Sequence, residues 1–244
     1  MTIAWFLLFA LLETGPEPLS LERVNAGIQR VLDAAVSEDG TVDYSKLKGS
    51  EELRQALDDY VAFTASFDPA SVEDKHQKIA ILANAYNVWT LAGVVKAWPV
   101  DSVRDIRPLF GFFTKDEWTL GGEEISLNKL EKIFLRPLDP RVHFIINCAS
   151  ASCPVLPRKV LTAENVEAEM EAAARRFLGE EPKNRFDKNK RQWRLSKIFK
   201  WYQEDWGKQA DVVAFIRQYR PDLDWTPKKI NYLDYDWALN GPTH

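Results

Sequence analysis

Apolar residues recur every three or four positions through much of the chain, a spacing that predicts several amphipathic helices. The first predicted helix begins after Ser20 and the second after Ser50, because serine can cap the amide groups of a first helical turn. Between these two helices, the segment 41–44 is predicted to be a short strand. Further helices are predicted at 126–136, 162–178, 196–206 and 212–219.

The segment 72–98 differs from the other predicted helices because it is apolar on nearly all sides. Such a helix is expected in the interior, surrounded by other elements. Two amides, Asn84 and Asn87, lie one turn apart on one face of it. Burying an amide without a partner costs free energy, so both side chains are expected to bind either neighbouring backbone or a ligand.

Two hairpins and two single strands are predicted from short runs of β-compatible residues. One hairpin turns at the glycine pair 121–122, and the other spans 185–195. The apolar segment 142–147 is predicted to be an interior strand, and 229–237 to be the last strand. Because no repeat or linker divides the chain, residues 19–244 are expected to form one α+β domain with a central buried helix and a small, mostly antiparallel sheet.

Composition narrows the classes of function. The 244 residues carry a formal net charge of −4 and are 45% hydrophobic, which is typical of a globular protein and not of a disordered one. A general nucleic-acid-binding protein is normally basic, so no nucleic acid is expected as a partner. Aromatic residues are abundant, with nine Trp and thirteen Phe, and they predict a thick core or a lined groove.

The chain begins with an apolar run, MTIAWFLLFALL, in which only Thr2 is polar. The run suits the core of a signal peptide and is too short for a membrane-spanning helix, so no stable membrane span is expected. No basic residue precedes it and no small-residue cleavage site follows it, so a helix packed on the domain is the alternative. We expect 1–18 to be an export leader, which makes the protein periplasmic or extracellular; under the alternative it is cytoplasmic.

A basic segment at 183–200 contains eight Lys or Arg residues and one acidic residue, Asp187. The aromatic residues between them would suit a site for an anionic group. A solvated hairpin explains the same pattern, and we favour that interpretation.

The residues best suited to chemistry lie within the segment HFIINCASASC, which contains His143, Cys148 and Cys153. A thiolate is the reactive form of cysteine, and a nearby imidazole lowers the pKa of a thiol. One interpretation therefore makes Cys148 a nucleophile and His143 its base. Residues five apart in a regular strand point to opposite faces, so the chain must bend at Asn147 for these two side chains to meet.

Three other interpretations of the cysteines are open. Cys148 and Cys153 can form a disulfide, which export would favour and which would fix the local geometry. With His143 they could bind a metal, but the spacing matches no familiar zinc pattern and lacks a fourth ligand, so no metal is expected. Both cysteines could also be inert core residues.

Other polar side chains are candidates for the same site. Glu131 interrupts the apolar pattern of its helix and could orient His143; a solvent-facing carboxylate beside Lys132 is the alternative. Asp205 is expected to be a surface or capping residue. The candidates for lining a pocket are Asn84, Tyr86, Asn87, Asn147 and Ser150. A hydrogen-bonded brace within the core is the alternative for the first three, and no cofactor is expected because no glycine-rich phosphate loop is present.

Five segments, taken in order, resemble a known family. They are NAYNVWTLAGVV at 84–95, ISLNKLEKIFLR at 125–136, DPRVHFIINCASASCPVL at 139–156, LSKIFKWYQEDW at 195–206 and YLDYDWALN at 232–240. Together they are similar to the domain-of-unknown-function family number 547, found in bacteria, plants and animals, over about residues 40–240. The family usually has Glu-His where this chain has Glu131-Lys132, which leaves His143 as the only imidazole in a motif.

The resemblance implies where such a protein is found and which domains accompany it, but the family has no settled activity. Bacterial members often carry export signals, and some eukaryotic members are fused to glutaredoxin-like modules and others to coiled-coil segments. These fusions imply thiol chemistry in one case and a scaffold in the other. By analogy, a histidine near a cysteine is similar to a papain-like or transglutaminase-like arrangement in permuted order.

The leading hypothesis is an exported, thiol-dependent hydrolase or acyl transferase that acts on a small molecule or peptide. Cys148 is the predicted nucleophile, His143 the base and Glu131 the orienting carboxylate. The alternative is a non-catalytic exported binding module, in which a disulfide between Cys148 and Cys153 shapes a recognition loop.

Overall fold

The computed structural model describes residues 19–243, and the predicted leader at 1–18 lies outside them. Helices dominate this part of the chain and two small sheets accompany them, so the predicted α+β class is confirmed. The helices are α1 (Leu21–Ala35), α2 (Tyr44–Gly49), α3 (Glu51–Ser66), α4 (Lys75–Ala97), α5 (Val103–Ile106), α6 (Gly111–Thr114), α7 (Leu127–Lys129), α8 (Val166–Gly179), α9 (Ile198–Trp201), α10 (Gln203–Trp206) and α11 (Gln209–Tyr219). The strands are β1 (Trp118–Leu120), β2 (Glu123–Ile125), β3 (Arg185–Asp187), β4 (Gln192–Leu195) and β5 (Lys229–Tyr232). Short 3₁₀ segments lie at Pro69–Ser71, Pro108–Phe110 and Pro140–Phe144, and a π-helix at Leu130–Leu135.

Serine side chains cap the first two long helices, as predicted. The hydroxyl of Ser20 accepts a hydrogen bond from the amide of Arg23, and the hydroxyl of Ser50 accepts one from the amide of Leu53. Each cap satisfies an amide that has no partner inside its helix. The apolar faces of α1 and α3 then pack against each other and against the core.

The predicted strand at 41–44 is wrong, apart from one residue. Val42 forms an isolated antiparallel bridge with Val36, but Tyr44 already begins α2. The carboxylate of Asp43 accepts a hydrogen bond of 2.8 Å from the amide of Lys46. Asp43 therefore caps a helix at the position where the sequence pattern favoured extended backbone.

Helix α4 crosses the interior, as its apolar composition predicts. Among the described residues it is the one helix long and apolar enough to cross a membrane, and 83% of its most apolar window is buried inside the protein. A helix in this position forms the centre of a globular core. For residues 19–243, the finding is consistent with the expectation of no stable membrane span.

Two groups of buried apolar side chains form the core. The larger group surrounds α4, and the second contains many aromatic side chains from α8 to α11 and from β4. The segment Pro140–Phe144 lies where the groups meet, because Val142 belongs to the first and Phe144 to the second. His143, between these two residues, is thereby placed at the junction of the two groups.

The predicted interior strand at 142–147 is wrong, because Pro140–Phe144 is a 3₁₀ helix. The carboxylate of Asp139 accepts a hydrogen bond of 2.9 Å from the amide of Arg141, and Pro140 restricts the backbone to a helical φ. A short apolar run does not distinguish a buried strand from a buried helical turn, since the side chains are covered in both. The argument that His143 and Cys148 point to opposite faces of a strand therefore does not apply.

Both predicted hairpins are present. Strands β1 and β2 pair antiparallel around Gly121 and Gly122, whose φ values of 58° and 87° suit glycine. Strands β3 and β4 also pair antiparallel, and the basic residues between them form the turn of this hairpin. Strand β5 pairs parallel to β4, so the second sheet is mixed, and β5 ends at Tyr232, before the predicted end at 237.

The chain after β5 forms an extended tail that contacts two distant parts of the protein. The amide of Val42 donates a hydrogen bond of 2.9 Å to the carbonyl of Asn240. In turn, the amide of Asn240 donates to the carbonyl of Ala149 (3.1 Å), and the amide of Ala151 donates to the carbonyl of Ala238 (2.8 Å). The tail therefore holds the loop that follows Cys148.

We expect Gly241→Ala to lower the free energy of unfolding by about 1–3 kcal/mol, the usual cost of inserting a methyl group into a packed region. A Cβ at position 241 would overlap the backbone carbonyl oxygen of Val42, which accepts a hydrogen bond of 3.2 Å from the amide of Tyr44. Urea denaturation measures the change. Gly49→Ala is the control, because a Cβ at Gly49 has no neighbour within 4 Å. Equal stabilities of the two variants would show that the packing of the tail against Val42 does not contribute to stability.

Candidate functional site

The loop after Pro140–Phe144 is shaped by the side chain of Asn147. Its carbonyl oxygen accepts a hydrogen bond of 2.8 Å from the amide of Ala149, and its amide nitrogen donates one of 2.7 Å to the carbonyl of Pro154. Ala149 adopts a left-handed conformation with φ of 61°, which is unusual for a residue other than glycine. The loop therefore turns at Ala149, with Asn147 bracing the turn, and the turn places Cys148 and Cys153 side by side.

The two cysteine sulfurs are in contact, and both are free thiols. The Sγ atoms of Cys148 and Cys153 lie 2.6 Å apart, and the amide of Cys148 donates a hydrogen bond of 2.9 Å to the sulfur of Cys153. Two hydroxyl groups complete the surroundings of the Cys148 sulfur: the Ser150 Oγ at 3.1 Å and the Tyr235 hydroxyl at 3.3 Å. Tyr235 comes from the tail, and its role could not be read from the sequence around Cys148.

These contacts shift the pKa values of the two thiols in opposite directions. Burial raises the pKa of Cys148, but hydrogen bonds from Cys153, Ser150 and Tyr235 outweigh it and lower the pKa from 9.0 to about 7. Burial, together with the hydrogen bond to Cys148 and its charge, raises the pKa of Cys153. Cys148 is therefore the thiol of the pair that ionises first, and Cys153 is the thiol that donates to the Cys148 thiolate.

The imidazole of His143 is held between two carboxylates. Its Nε2 lies 2.7 Å from Oδ2 of Asp205, and its Nδ1 lies 3.2 Å from Oε1 of Glu131. Tyr202 packs on the ring, with 4.1 Å between the ring centroids. Burial alone would lower the pKa of His143, but the hydrogen bonds to Asp205 and Glu131 raise it above the ordinary value of 6.5.

Asp205 is a member of this site, and the expectation that it is a surface or capping residue is wrong. Its carboxylate binds the guanidinium of Arg136 through two contacts, of 2.6 Å and 2.8 Å, as well as His143. Burial raises the pKa of Asp205, but the hydrogen bonds to His143 and Arg136 lower it from 3.8 to about 2. No pattern near Asp205 in the sequence links it to His143, which lies 62 residues away.

The thiol pair and the imidazole cluster line one cavity of about 210 Å³. Cys148, Cys153, His143 and Glu131 form part of its wall. The remaining wall is mostly aromatic and comprises Tyr86, Phe110, Phe113, Trp201, Tyr202, Tyr235 and Trp237, among other residues. The structure thus brings together the three residues of the sequence-based hypothesis. The ring nitrogens of His143 contact carboxylates, and the Cys148 sulfur contacts Cys153, Ser150 and Tyr235.

The five side chains predicted to line a pocket have different positions. Tyr86 lines the cavity, and Ser150 contacts the Cys148 sulfur. Asn84 and Asn87 are not part of the wall of this cavity, and each forms two hydrogen bonds with the backbone of a neighbouring segment. Asn147 braces its own loop. Asn84 and Asn87 therefore have the geometry of the brace that was their alternative interpretation.

Within residues 19–243, no group of three or more His, Cys, Asp or Glu side chains has the arrangement of a metal site. The His143, Cys148 and Cys153 side chains are instead engaged in separate contacts, His143 with carboxylates and the cysteines with each other.

Comparison with known proteins identifies part of the chain. Residues 69–178 match the model of the family described as "Protein of unknown function, DUF547". The match confirms the resemblance to this family that the sequence blocks indicated, over residues 69–178 and not over the expected 40–240. No curated protein and no solved structure matches the chain. The DUF547 segment includes Glu131, His143 and both cysteines, whereas Asp205 and Tyr235 lie beyond its end.

Proposed function

We propose that the protein is a thiol-dependent hydrolase or acyl transferase in which Cys148 is the nucleophile. The observation that carries the proposal is the position of the Cys148 sulfur, which lines a cavity and is surrounded by three hydrogen-bonding groups. A thiolate with a pKa of about 7 is abundant at neutral pH and is a strong nucleophile. Its activation therefore does not require direct contact with an imidazole.

The proposed reaction is that of papain-like and transglutaminase-like enzymes. The Cys148 thiolate attacks a carbonyl carbon, and the tetrahedral intermediate collapses to a thioester as the leaving group departs. Burial raises the pKa of Tyr235, so its hydroxyl remains protonated beside the sulfur and can donate to the oxyanion. Water or a second substrate then attacks the thioester and regenerates the thiolate.

His143 and Glu131 supply the acid–base chemistry in this proposal. Protonated His143 donates a proton toward the leaving group in the first step and accepts one from the attacking group in the second. The carboxylate of Glu131 contacts His143 Nδ1 and also lines the cavity, so it can relay this proton. Asp205, on the other nitrogen, keeps the imidazole oriented.

The cavity favours a small apolar acyl group. Its volume of about 210 Å³ is less than the roughly 300 Å³ at which pockets for drug-sized ligands begin. Aromatic walls bury apolar groups well. We therefore propose an ester, thioester or amide whose acyl part is short and apolar, such as a peptide bond whose carbonyl belongs to a small apolar residue.

The para-nitrophenyl ester of phenylacetic acid tests the proposal. We expect one rapid release of nitrophenolate per protein molecule, one acyl group on Cys148 by peptide mass mapping, and an acylation rate that rises with pH through about 7. Cys148→Ser should slow the release by at least about 100-fold, and His143→Gln should slow later turnover more than the first release.

Cys153→Ser is the control for this experiment. It should still be acylated at Cys148, with the pH midpoint shifted upward because a hydrogen bond to the thiolate is weakened. Release at the wild-type rate from Cys148→Ser, or acyl groups found only on lysine, would contradict the proposal.

The alternative function, a binding module with a disulfide between Cys148 and Cys153, is favoured by the contact between the two sulfurs. Intact-mass analysis separates the alternatives. A protein that is about 2 Da lighter before reduction although it was never exposed to peroxide, and that iodoacetamide does not alkylate, favours the module. Rapid alkylation of Cys148 alone at neutral pH favours the enzyme.

A further inference from the structure

We infer that Cys148 and Cys153 are a peroxide-sensitive pair, in which a small hydroperoxide oxidises Cys148 and Cys153 then closes a reversible disulfide. The inference uses the reactivity of Cys148 but does not depend on acyl transfer. The first supporting observation is the distance between the Cys148 and Cys153 sulfurs. They are 2.6 Å apart, so no backbone movement is needed to bring them together.

The turn between the cysteines keeps Cys153 in place. The amide of Cys153 donates a hydrogen bond of 3.0 Å to the carbonyl of Ser150, and the amide of Cys148 donates to the Cys153 sulfur. The tail restrains the same turn, since the amide of Ser152 donates to the carbonyl of Asp236 (3.2 Å). Cys153 is therefore fixed next to the sulfur that it would attack.

The chemistry balances with a hydroperoxide as the two-electron oxidant. The Cys148 thiolate attacks the terminal peroxide oxygen, the O–O bond breaks, and the departing oxygen takes a proton to become water or an alcohol. The Cys153 sulfur then attacks the Cys148 sulfenic acid, an S–S bond forms, the S–O bond breaks, and the hydroxyl leaves with the Cys153 proton as water. Two thiols and one hydroperoxide give one disulfide, one water and one water or alcohol.

The surroundings favour a small oxidant. Cys148 is half-buried in the wall of a cavity of about 210 Å³, which admits a hydroperoxide far more easily than a bulky disulfide such as glutathione disulfide. The Tyr235 hydroxyl, 3.3 Å from the Cys148 sulfur, can donate to the departing oxygen. Burial and the neighbouring charge raise the pKa of Cys153, so Cys148 is the sulfur that reacts first.

Hydrogen peroxide treatment followed by intact-mass analysis tests the inference. The wild-type protein should become about 2 Da lighter, lose all alkylation by N-ethylmaleimide in urea, and recover its mass with dithiothreitol. Cys153→Ser should instead gain about 16 Da on Cys148, trapped by dimedone, and then about 32 Da. Cys148→Ser should keep its mass under the same dose. Glutathione disulfide at the same concentration should oxidise the wild type at least about tenfold more slowly.

Several outcomes would overturn the inference. Sulfenic acid that persists in the wild type as long as in Cys153→Ser shows that Cys153 does not resolve it. Oxidation of Cys148→Ser at the wild-type rate shows that Cys148 is not the first site. Equal rates with glutathione disulfide reject the assignment of the oxidant. Circular dichroism checks that each variant is folded, and Cys153→Ala replaces Cys153→Ser if needed. Because mass is measured without a substrate, failure here is distinguishable from failure of the acyl-transfer proposal.

Discussion

Asp205→Asn is expected to lower the free energy of unfolding by about 3–5 kcal/mol at neutral pH. This is the usual cost of removing the charge of one partner in a buried ion pair. The Asp205 side chain is 14% exposed, and it contacts both the Arg136 and His143 side chains, which are 9% and 2% exposed. Asparagine has nearly the same shape as aspartate but no negative charge. The cationic Arg136 and His143 side chains would then lie close together without the carboxylate that now neutralises them. We expect the pKa of His143 to fall as a result.

Glu204→Gln is the matched control for this change. Glu204 is the neighbouring residue and also pairs with Arg136, but its side chain is 69% exposed. Exposed ion pairs contribute about 0–1 kcal/mol, so the loss should lie in that range. Urea denaturation of both variants measures the difference, and NMR titration of His143 measures the pKa. Similar losses in the two variants would show that burial of Asp205 does not set its contribution.

The pH dependence of stability follows from the two shifted groups. The raised pKa of His143 contributes stability that is complete below the ordinary value of 6.5 and is lost as pH rises through its folded value. The lowered pKa of Asp205 contributes stability above its ordinary value of 3.8, which is lost as pH falls through about 2. The pair therefore contributes most between pH 3.8 and 6.5. In Asp205→Asn, the decline in stability above pH 6.5 should become shallower.

Asn87→Leu is expected to destabilise the protein by about 3 kcal/mol and to change the reactivity of Cys148. The Asn87 side chain donates a hydrogen bond of 2.9 Å to the carbonyl of Ile145 and accepts one of 2.8 Å from the amide of Asn147. Leucine leaves both backbone groups unpaired in the interior, and each such group costs about 1–3 kcal/mol. Since Asn147 precedes Cys148, the rate of iodoacetamide alkylation should change by at least about threefold, equivalent to about 0.7 kcal/mol.

Asn84→Leu separates the loss of stability from the effect on the thiol. Asn84 makes the equivalent pair of hydrogen bonds, at 2.8 Å and 3.1 Å, to the backbone of Leu161. The two variants should lose similar stability in urea denaturation, but Asn84→Leu should alkylate at the wild-type rate. If both variants changed the alkylation rate equally, the effect of Asn87 on Cys148 would be a general consequence of lower stability.

The sequence predicted the features that local interactions control. The helices after Ser20 and Ser50 and the hairpin at 121–122 have the expected positions, because capping and turn geometry act over a few residues. The buried position of α4 follows from its apolar composition. The segment 142–147 was assigned incorrectly because burial removes the polar alternation that separates strands from helical turns.

The candidate site was predicted only in part. Cys148 and Cys153 lie near each other in sequence, and His143 precedes them closely, so their types and spacing indicated thiol chemistry. Glu131 was identified as a carboxylate within an apolar pattern, and it does contact His143. Asp205 was given another role, since its partner His143 lies 62 residues away and no local pattern joins them.

Local periodicity and capping residues were enough to determine the long helices of this protein, and the spacing of Cys148 and Cys153 indicated that their sulfurs could meet. Tertiary structure alone decided which groups surround them. Tyr235 reaches the Cys148 sulfur across 87 positions because the tail folds back over the loop, and Asp205 reaches His143 because the two core groups meet there. Acidity depends on burial and on the donors within a few ångströms, and distances between remote segments are set by packing of the whole chain.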